Sequence, residues 1–219
     1  MAKQVSHFNP LALYNLFSAG LWGYLLFKVI FEYSKLGQPA FYESTKNSLT
    51  YVQLGALIEI LNSLLGIVRA PLLTTLAQVA SRLLIAVGIF QYVPDAPNAR
   101  AWPYVSLISA WSATEVVRYL FYYFNLTSSS GAPVFLQILR YNMFWVLYPL
   151  GVLSELLIIY SALPLVETRF GIVYHRLLIV AMLTYIPGFP MLFTHMMVQR
   201  KKTMKALFSQ KKKRTEKAD

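Results

Sequence analysis

Long apolar stretches separated by short polar connectors dominate the sequence. Six of them are about 20 residues long, the length that a helix needs to cross the roughly 30 Å hydrocarbon core of a bilayer. The connectors contain proline, glycine, asparagine, serine and charged residues. The sequence therefore predicts an all-α polytopic membrane protein, a bundle of six transmembrane helices, with spans at residues 11–31, 48–68, 72–93, 103–124, 141–163 and 177–198.

The start of the fifth span is open to two interpretations. Hydropathy places it at Tyr141, after Arg140. A start nearer Val134 is also compatible with the sequence, and it would bring Arg140 inside the membrane boundary.

Basic residues are concentrated at the C-terminus, where nine of the twenty Lys and Arg residues fall between Arg200 and Lys217. A basic segment directly after a membrane span is typical of the cytosolic side, and an even number of spans places both termini there. The internal loops do not add to this argument. We expect residues 1–199 to form the membrane domain and residues 200–219 a basic cytosolic tail without regular structure.

Composition narrows the possible functions. The chain is 57% hydrophobic and only 13% charged, which is too apolar for an ordinary soluble domain. It has no cysteine, which excludes thiolate nucleophiles and thiolate metal sites, and its three histidines are far apart. We predict no metal site. The net charge of +11 resides largely in the tail, so we predict contact with lipid headgroups rather than nucleic acid.

Glu155 is the most informative polar residue, because it interrupts the fifth apolar stretch with a carboxylate. Such a residue costs roughly 2.5 to 3.5 kcal/mol at the centre of a membrane helix, so it usually faces a protein interior and has a function. Tyr148 lies seven residues earlier, about 700° of helical rotation, and therefore on nearly the same face. Pro149 and Gly151 between them favour a local distortion that would make room for a ligand.

Further polar residues lie within other predicted spans. Glu115 and Arg118 are three residues apart, which predicts an ion pair on one helix. Arg82 has no acidic neighbour on its own helix, so we expect it to contact either Glu59 or a ligand. Glu155 has no basic neighbour within one turn, which makes it a stronger base in an apolar environment, unless Arg82 or Arg118 reaches it across the bundle.

These residues belong to a set of motifs that resembles the 3-hydroxyacyl-CoA dehydratase family of very-long-chain fatty acid elongation, also known as protein tyrosine phosphatase-like. The resemblance covers nearly the whole chain. Leu150 and Ala70 stand where family members often have Thr and Ser. The motifs are Leu13-Tyr14-Asn15, Glu59-Ile60-Leu61-Asn62, Val68-Arg69-Ala70-Pro71, Gln78-Val79-Ala80-Ser81-Arg82, Trp111 to Tyr119, Leu139-Arg140-Tyr141, Tyr148 to Glu155 and Tyr185-Ile186-Pro187-Gly188.

The resemblance implies a multi-pass enzyme of the endoplasmic reticulum membrane. It would dehydrate a long-chain (3R)-3-hydroxyacyl-CoA to the trans-2-enoyl-CoA, the third step of the elongation cycle, without a cofactor. Its expected partners are the condensing enzyme, the ketoacyl reductase and the enoyl reductase of that cycle. Tyr148 and Glu155 match the family's catalytic pair. Positions that the family needs for activity or integrity are matched by Glu59, Gln78, Arg82, Glu115, Arg118, Arg140 and Gly151.

Elimination of water needs one group to remove the C2 proton and another to protonate the departing C3 hydroxyl. Glu155 as base and Tyr148 as acid is our hypothesis, and the opposite assignment stays open. Arg69, Arg140 and residues 200–202 are candidates for contact with the CoA phosphates. Two alternatives use the same polar residues differently: an intramembrane proton-coupled carrier, and a membrane scaffold in which they only join helices.

Overall fold

The computed structural model describes residues 4–68 and 72–215, and every regular element within those ranges is helical. The all-α prediction is confirmed for this part of the chain. Residues 69–71, which include Arg69 and Ala70, and residues 216–219 of the tail lie outside the described ranges. The α-helices are α1 Pro10–Phe31, α2 Tyr33–Leu36, α3 Ala40–Gly55, α4 Leu57–Leu64, α5 Leu72–Leu83, α6 Trp102–Thr127, α7 Val134–Asn142, α8 Phe144–Phe170 and α9 Ile172–Thr215. A π-helical segment, Leu84–Ile89, continues α5, and a 3-10 turn, Pro97–Arg100, precedes α6.

The helices run between two ends of the bundle, which we name after residues found there. At the Asp95 end, Arg169 at the end of α8 forms a bidentate ion pair with Asp95, with N to O distances of 2.7 and 2.6 Å. At the Val5 end, the Val5 amide donates to the carbonyl of Leu126 near the end of α6, at 3.0 Å. Six helical rods alternate in direction between these ends. In chain order they are α1, α3 with α4, α5 with its π segment, α6, α8 and α9.

Three of the described helices are long and apolar enough to cross a membrane: Pro10–Phe31, Phe144–Phe170 and Ile172–Ser209. The structure thus supports a membrane protein. Helix α6 is also long, at 26 residues, but it is not one of these three candidate spans, and it carries the charged residues Glu115 and Arg118. The second predicted span is divided into α3 and α4 near Gly55, and the third is an α-helix followed by a π-helical segment.

Local sequence explains several helix boundaries. Asn9 caps α1 by accepting a hydrogen bond from the Leu11 amide at 3.0 Å, and Pro10 occupies the first helical position, where no amide hydrogen is needed. The apolar stretch predicted as the fifth span corresponds to α8, which begins at Phe144, close to the predicted start at Tyr141. A separate helix, α7, begins at Val134 and carries Arg140 in its last turn. Helix α8 then continues unbroken through Pro149 and Pro164.

Helix α6 lies at the centre, between α1 on one side and α8 on the other, and α9 packs on the far side of α8. Near the Asp95 end the core is aromatic. Tyr104 of α6 is fully buried and contacts the rings of Phe41, Tyr42 and Phe90 edge to face, with centroids 4.9 to 6.3 Å apart. Its hydroxyl hydrogen-bonds Thr45 at 2.8 Å. This packing fixes α3, α6 and the π segment to one another.

Ionic contacts surround the Asp95 end. Arg169 holds the pKa of Asp95 below its usual range by donating hydrogen bonds to the carboxylate, so this pair is fully charged at neutral pH. Glu43 at the start of α3 bonds both Arg100 and Lys46. These ion pairs lie at the end of the bundle where α8 connects to α9. The connection runs through Gly171, whose φ of 79° is readily adopted by glycine.

Helix α9 is 44 residues long, roughly 66 Å at 1.5 Å per residue, which is about twice the thickness of a hydrocarbon core. It continues through residues 200–215, for which the sequence predicted no regular structure. The basic residues from Arg200 to Arg214 are thus carried on the same helix. Arg200 donates to the side-chain oxygen of Asn142 in α7 at 2.8 Å, which ties the base of this extension to the bundle.

Candidate functional site

Tyr148 and Glu155 both project from α8 toward α9. They are roughly 10 Å apart along the helix axis, and Glu155 lies in the middle third of the 27-residue helix. Pro149, next to Tyr148, has no amide hydrogen, so the carbonyl one turn earlier loses its intrahelical partner. The seven-residue spacing thus places an acid and a phenol along one interhelical interface.

The Glu155 side chain is buried, with 8% of the residue exposed, and both carboxylate oxygens accept a hydrogen bond. Trp111 of α6 donates from Nε1 to Oε1 at 3.0 Å. Tyr185 of α9 donates from its hydroxyl to Oε2 at 2.5 Å. No lysine or arginine forms an ion pair with Glu155 within the described ranges. The carboxylate is therefore stabilised by two neutral donors from two different helices.

The Tyr148 ring is half-buried and stacks parallel to Phe189 of α9, with ring centroids 5.1 Å apart. Phe193, one turn further along α9, lies 6.5 Å from the same ring. Phe189 is one helical turn from Tyr185, the residue that bonds Glu155. One face of α9 therefore contacts both members of the predicted catalytic pair.

An open apolar groove of about 370 Å³ lies beside these residues, between α8 and α9. Tyr185 lines the groove and also bonds the Glu155 carboxylate, so the groove is connected to Glu155 through Tyr185. All its other lining residues are apolar. They are Pro149, Val152, Leu153, Leu156, Met182, Ile186 and Phe189.

A second group of polar residues joins α4, α5 and α6. Arg118 bonds Glu59 through both terminal nitrogens, at 3.0 and 2.6 Å, and donates from Nε to Glu115 at 2.6 Å. Arg82 pairs with the other oxygen of Glu115, and the Tyr119 hydroxyl donates to Glu59. The predicted pair of Glu115 and Arg118 is confirmed. The acidic partner of Arg82 is Glu115 rather than Glu59, because Arg118 and Tyr119 already occupy the Glu59 carboxylate.

This group, which we call the ion network, contains two acidic and two basic side chains and is neutral as a whole. Its two arginines are engaged with Glu59 and Glu115, so an ionic bond from either to Glu155, which the sequence left open, does not form. The Arg82 guanidinium lies 5.7 Å from the centre of the Trp111 ring, and Trp111 in turn bonds Glu155. Trp111 is thus the contact between the ion network and the site.

We expect Glu115→Gln to destabilise the protein by roughly 2 kcal/mol. Glu115 is almost fully buried and accepts from both arginines, so the substitution leaves two partly buried guanidinium groups without their shared anion. Thermal unfolding in detergent measures the effect. Glu167→Gln, the same change at an exposed position of α8, is the control and should unfold at the wild-type temperature. Equal unfolding temperatures for the two variants would show that the ion network contributes little stability.

The remaining predicted site residues lie further from Glu155. Gln78 is exposed, one turn before Arg82 on α5. Arg140 lies near the Val5 end, where it donates to the Tyr122 hydroxyl at 3.0 Å and stacks 4.5 Å from the Phe121 ring. Gly151 is buried against α6, and a Cβ there would meet Ala110 at 3.8 Å, an ordinary contact distance.

Trp111 and Tyr185 belong to the site, although the sequence assigned them no role. Both occur in the motifs of the family resemblance, but this chain has fifteen tyrosines and four tryptophans. Trp111 precedes Glu115 by one turn on α6, which is the one signal in the sequence that it belongs near the ion network. Nothing in the pattern of α9 distinguishes Tyr185 from its neighbours, because its partner is on another helix.

The fold and the site together define a membrane protein with a buried, hydrogen-bonded carboxylate beside an apolar groove. The family model described as "Protein tyrosine phosphatase-like protein, PTPLA" matches residues 53–206, and the chain belongs to this family.

Several curated relatives are similar over most of the chain. "Very-long-chain (3R)-3-hydroxyacyl-CoA dehydratase hpo-8" of Caenorhabditis elegans is 36% identical over 207 residues, covering 89% of this chain and 94% of the relative. "Very-long-chain (3R)-3-hydroxyacyl-CoA dehydratase PASTICCINO 2B" of Oryza sativa subsp. japonica is 34% identical, with coverage of 89% and 92%. "Very-long-chain (3R)-3-hydroxyacyl-CoA dehydratase 2" of Mus musculus is also 34% identical, with coverage of 89% and 80%. No solved structure matches the chain.

Proposed function

We propose that this protein is a lyase that removes water from long and very-long-chain (3R)-3-hydroxyacyl-CoA to give the trans-2-enoyl-CoA. This reaction is the dehydration step of fatty acid elongation, and relatives similar over 89% of the chain carry the name of that activity. The observation that carries the proposal is that Tyr148 and Glu155 contact one face of α9, through Phe189 and Tyr185, two residues that also line the apolar groove. The family description mentions a phosphatase, but the chain has no cysteine for a thiolate phosphatase mechanism.

In the proposed reaction, Glu155 accepts the C2 proton, which the neighbouring thioester makes acidic. The electron pair of the C2–H bond forms the C2=C3 double bond while the bond from C3 to its hydroxyl oxygen breaks. Tyr148 donates its proton to that oxygen, which leaves as water. Transfer of the proton from Glu155 back to Tyr148, directly or through water, restores both groups. The opposite assignment of acid and base uses the same two side chains and the same balance of protons.

The groove offers a place for the acyl chain. Relative to water, each buried CH₂ group contributes about 0.8 kcal/mol, so an aliphatic chain is more stable along the apolar walls between α8 and α9 than in the aqueous phase. The CoA part must stay in water, and its phosphates favour basic partners. Arg140 and Arg200 lie toward the Val5 end, which is also the end nearer Tyr148. We therefore orient CoA toward the Val5 end and the acyl chain toward the Asp95 end.

The same proposal includes a topology. Six helical rods alternate in direction, and the basic C-terminal part of α9 follows the last of them, so six spans with both termini in the cytosol fit the positive-inside rule. Residues 1–199 would be the catalytic membrane domain and residues 200–219 its cytosolic tail. The family resemblance extends the proposal to the endoplasmic reticulum membrane and to the condensing enzyme, ketoacyl reductase and enoyl reductase as partners.

A proton-coupled carrier is the second candidate, because charged residues within membrane helices often form ion paths. The ion network favours the enzyme instead, since its four charges neutralise one another and Glu155 is bonded by two neutral donors. A scaffold would need the polar groups only as links between helices, and the groove beside Glu155 would then have no use.

Turnover by the purified protein tests the proposal. The protein in detergent, at a range of concentrations, is given a long-chain (3R)-3-hydroxyacyl-CoA, and the enoyl product is separated and quantified by chromatography. We expect conversion in proportion to the amount of protein, with no conversion of the (3S) enantiomer. A well-folded protein that leaves the (3R) substrate unchanged would contradict the proposal and favour transport or assembly.

A further inference from the structure

We propose that Tyr185 is a positioning residue for the dehydration, holding the Glu155 carboxylate in the orientation and charge state in which it accepts a proton. This inference rests on the proposed function. Tyr185 acts through Glu155 rather than on the reacting atoms, so its contribution is distinct from that of Tyr148.

The geometry links Tyr185 to the base directly. Its hydroxyl donates to Glu155 Oε2 at 2.5 Å, a short contact of the kind made by a hydroxyl and a carboxylate. The other oxygen, Oε1, is held by Trp111 at 3.0 Å. One donor on each oxygen fixes the rotation of the carboxylate plane, and each oxygen keeps a further lone pair that can accept a proton.

Charge explains why this donor matters. Among the described residues, Arg82 and Arg118 are the cations connected to the site through Trp111 and the ion network, and both are bonded to Glu115 or Glu59. A buried carboxylate without a cationic partner depends on hydrogen bonds to stay ionised. The Tyr185 hydroxyl supplies one of the two such bonds that the structure describes for Glu155.

Tyr185 also connects the base to the substrate. It is the polar member of the groove lining, so a molecule in the groove lies against the residue that orients Glu155. One turn along α9, Phe189 stacks on the Tyr148 ring. A single face of α9 therefore orients both proposed catalytic side chains, one by a hydrogen bond and the other by ring packing.

The matched substitutions Tyr185→Phe and Tyr174→Phe test the inference. Tyr174 lies on the same helix, is half-buried, and donates its hydroxyl to a backbone carbonyl, that of Gly88, at 2.9 Å, at a distance from the site. Each variant removes one hydroxyl and keeps the ring. For Tyr185→Phe we expect kcat to fall roughly 10- to 100-fold, with KM within about twofold of wild type. The reason is that the lost hydrogen bond affects proton transfer to Glu155 and not the binding of substrate. Tyr174→Phe should keep wild-type kcat and KM.

Thermal unfolding of both variants accompanies the kinetics. A Tyr185→Phe enzyme that keeps wild-type kcat overturns the inference and leaves the proposed function intact. So does a variant in which KM rises in step with the loss of kcat, or whose lost activity matches a lost folded fraction, because either result indicates a general structural role. A folded wild-type protein without turnover overturns the proposed function, and this inference with it.

Discussion

Glu155→Gln is expected to lower the rate of dehydration roughly 1,000-fold or more. Glutamine has the size and shape of glutamate but cannot accept the C2 proton. Its amide oxygen can still accept one of the two hydrogen bonds that Trp111 and Tyr185 donate, so the side chain should stay in place. The measurement is the initial rate of enoyl-CoA formation by the purified variant, compared with wild type at the same concentration of folded protein.

Glu115→Gln provides the matched control, because it makes the same chemical change in a buried carboxylate of the adjacent helix. We expect the two substitutions to have opposite profiles. Glu155→Gln should lose activity and keep its unfolding temperature, since a neutral amide is easier to bury than an unpaired charge. Glu115→Gln should lose stability, since two arginines depend on that anion. A Glu155→Gln enzyme with near wild-type turnover would exclude Glu155 as the base and as the acid.

Tyr148→Phe is expected to lower kcat about 100-fold or more. The substitution removes the proposed proton donor and retains the ring, so the stacking on Phe189 and Phe193 should persist. Tyr160→Phe is the control, since Tyr160 lies on the same helix with its side chain exposed. It should keep wild-type kinetics. The assay is the same measurement of enoyl-CoA formation, with kcat and KM determined separately.

The Tyr148 result also separates an enzyme from the other two functional classes, the carrier and the scaffold. A carrier or a scaffold would hardly respond to the loss of one hydroxyl. If Tyr148→Phe and Tyr160→Phe behave alike while wild type turns over, then the leaving oxygen is protonated by another group. The phenol of Tyr185 and a water molecule in the groove would then be the groups to examine.

The hydropathy pattern predicted the approximate positions of the helical rods. It did not predict the breaks within them, such as the division between α3 and α4. The apolar stretch at residues 11–31 corresponds closely to α1, because membrane-spanning length is directly visible in the sequence. The second rod begins eight residues before the predicted span, at Ala40, because its first turns carry Glu43 and Lys46 among the ionic contacts of the Asp95 end. The π segment after Leu83 has no signature in the hydropathy pattern.

Within the site, the sequence could predict relations along one helix but not between helices. The spacing of Tyr148 and Glu155 determines that they share a side of α8, and the spacing of Glu115 and Arg118 determines their pairing. The partner of Arg82 depends on the rotation of α5 against α6, and the bond from Tyr185 to Glu155 depends on the rotation of α9 against α8. Those rotations are set by side-chain packing along whole helices, which no single spacing encodes.

Helix α9 has little protein around it: only 6% of its apolar stretch is buried, and it packs chiefly on α8 and, toward the Val5 end, on α7. Yet this helix supplies Tyr185 and Phe189, so part of the proposed active site is built on an element whose other sides face the surroundings. In a bilayer those sides are covered by acyl chains, which makes the neighbouring lipids a functional part of the enzyme's architecture. A detergent that solvates α9 too well would loosen the site while the aromatic core around Tyr104 stays folded, so inactivation and unfolding become separate events. We therefore expect turnover to depend on the lipid or detergent that surrounds α9.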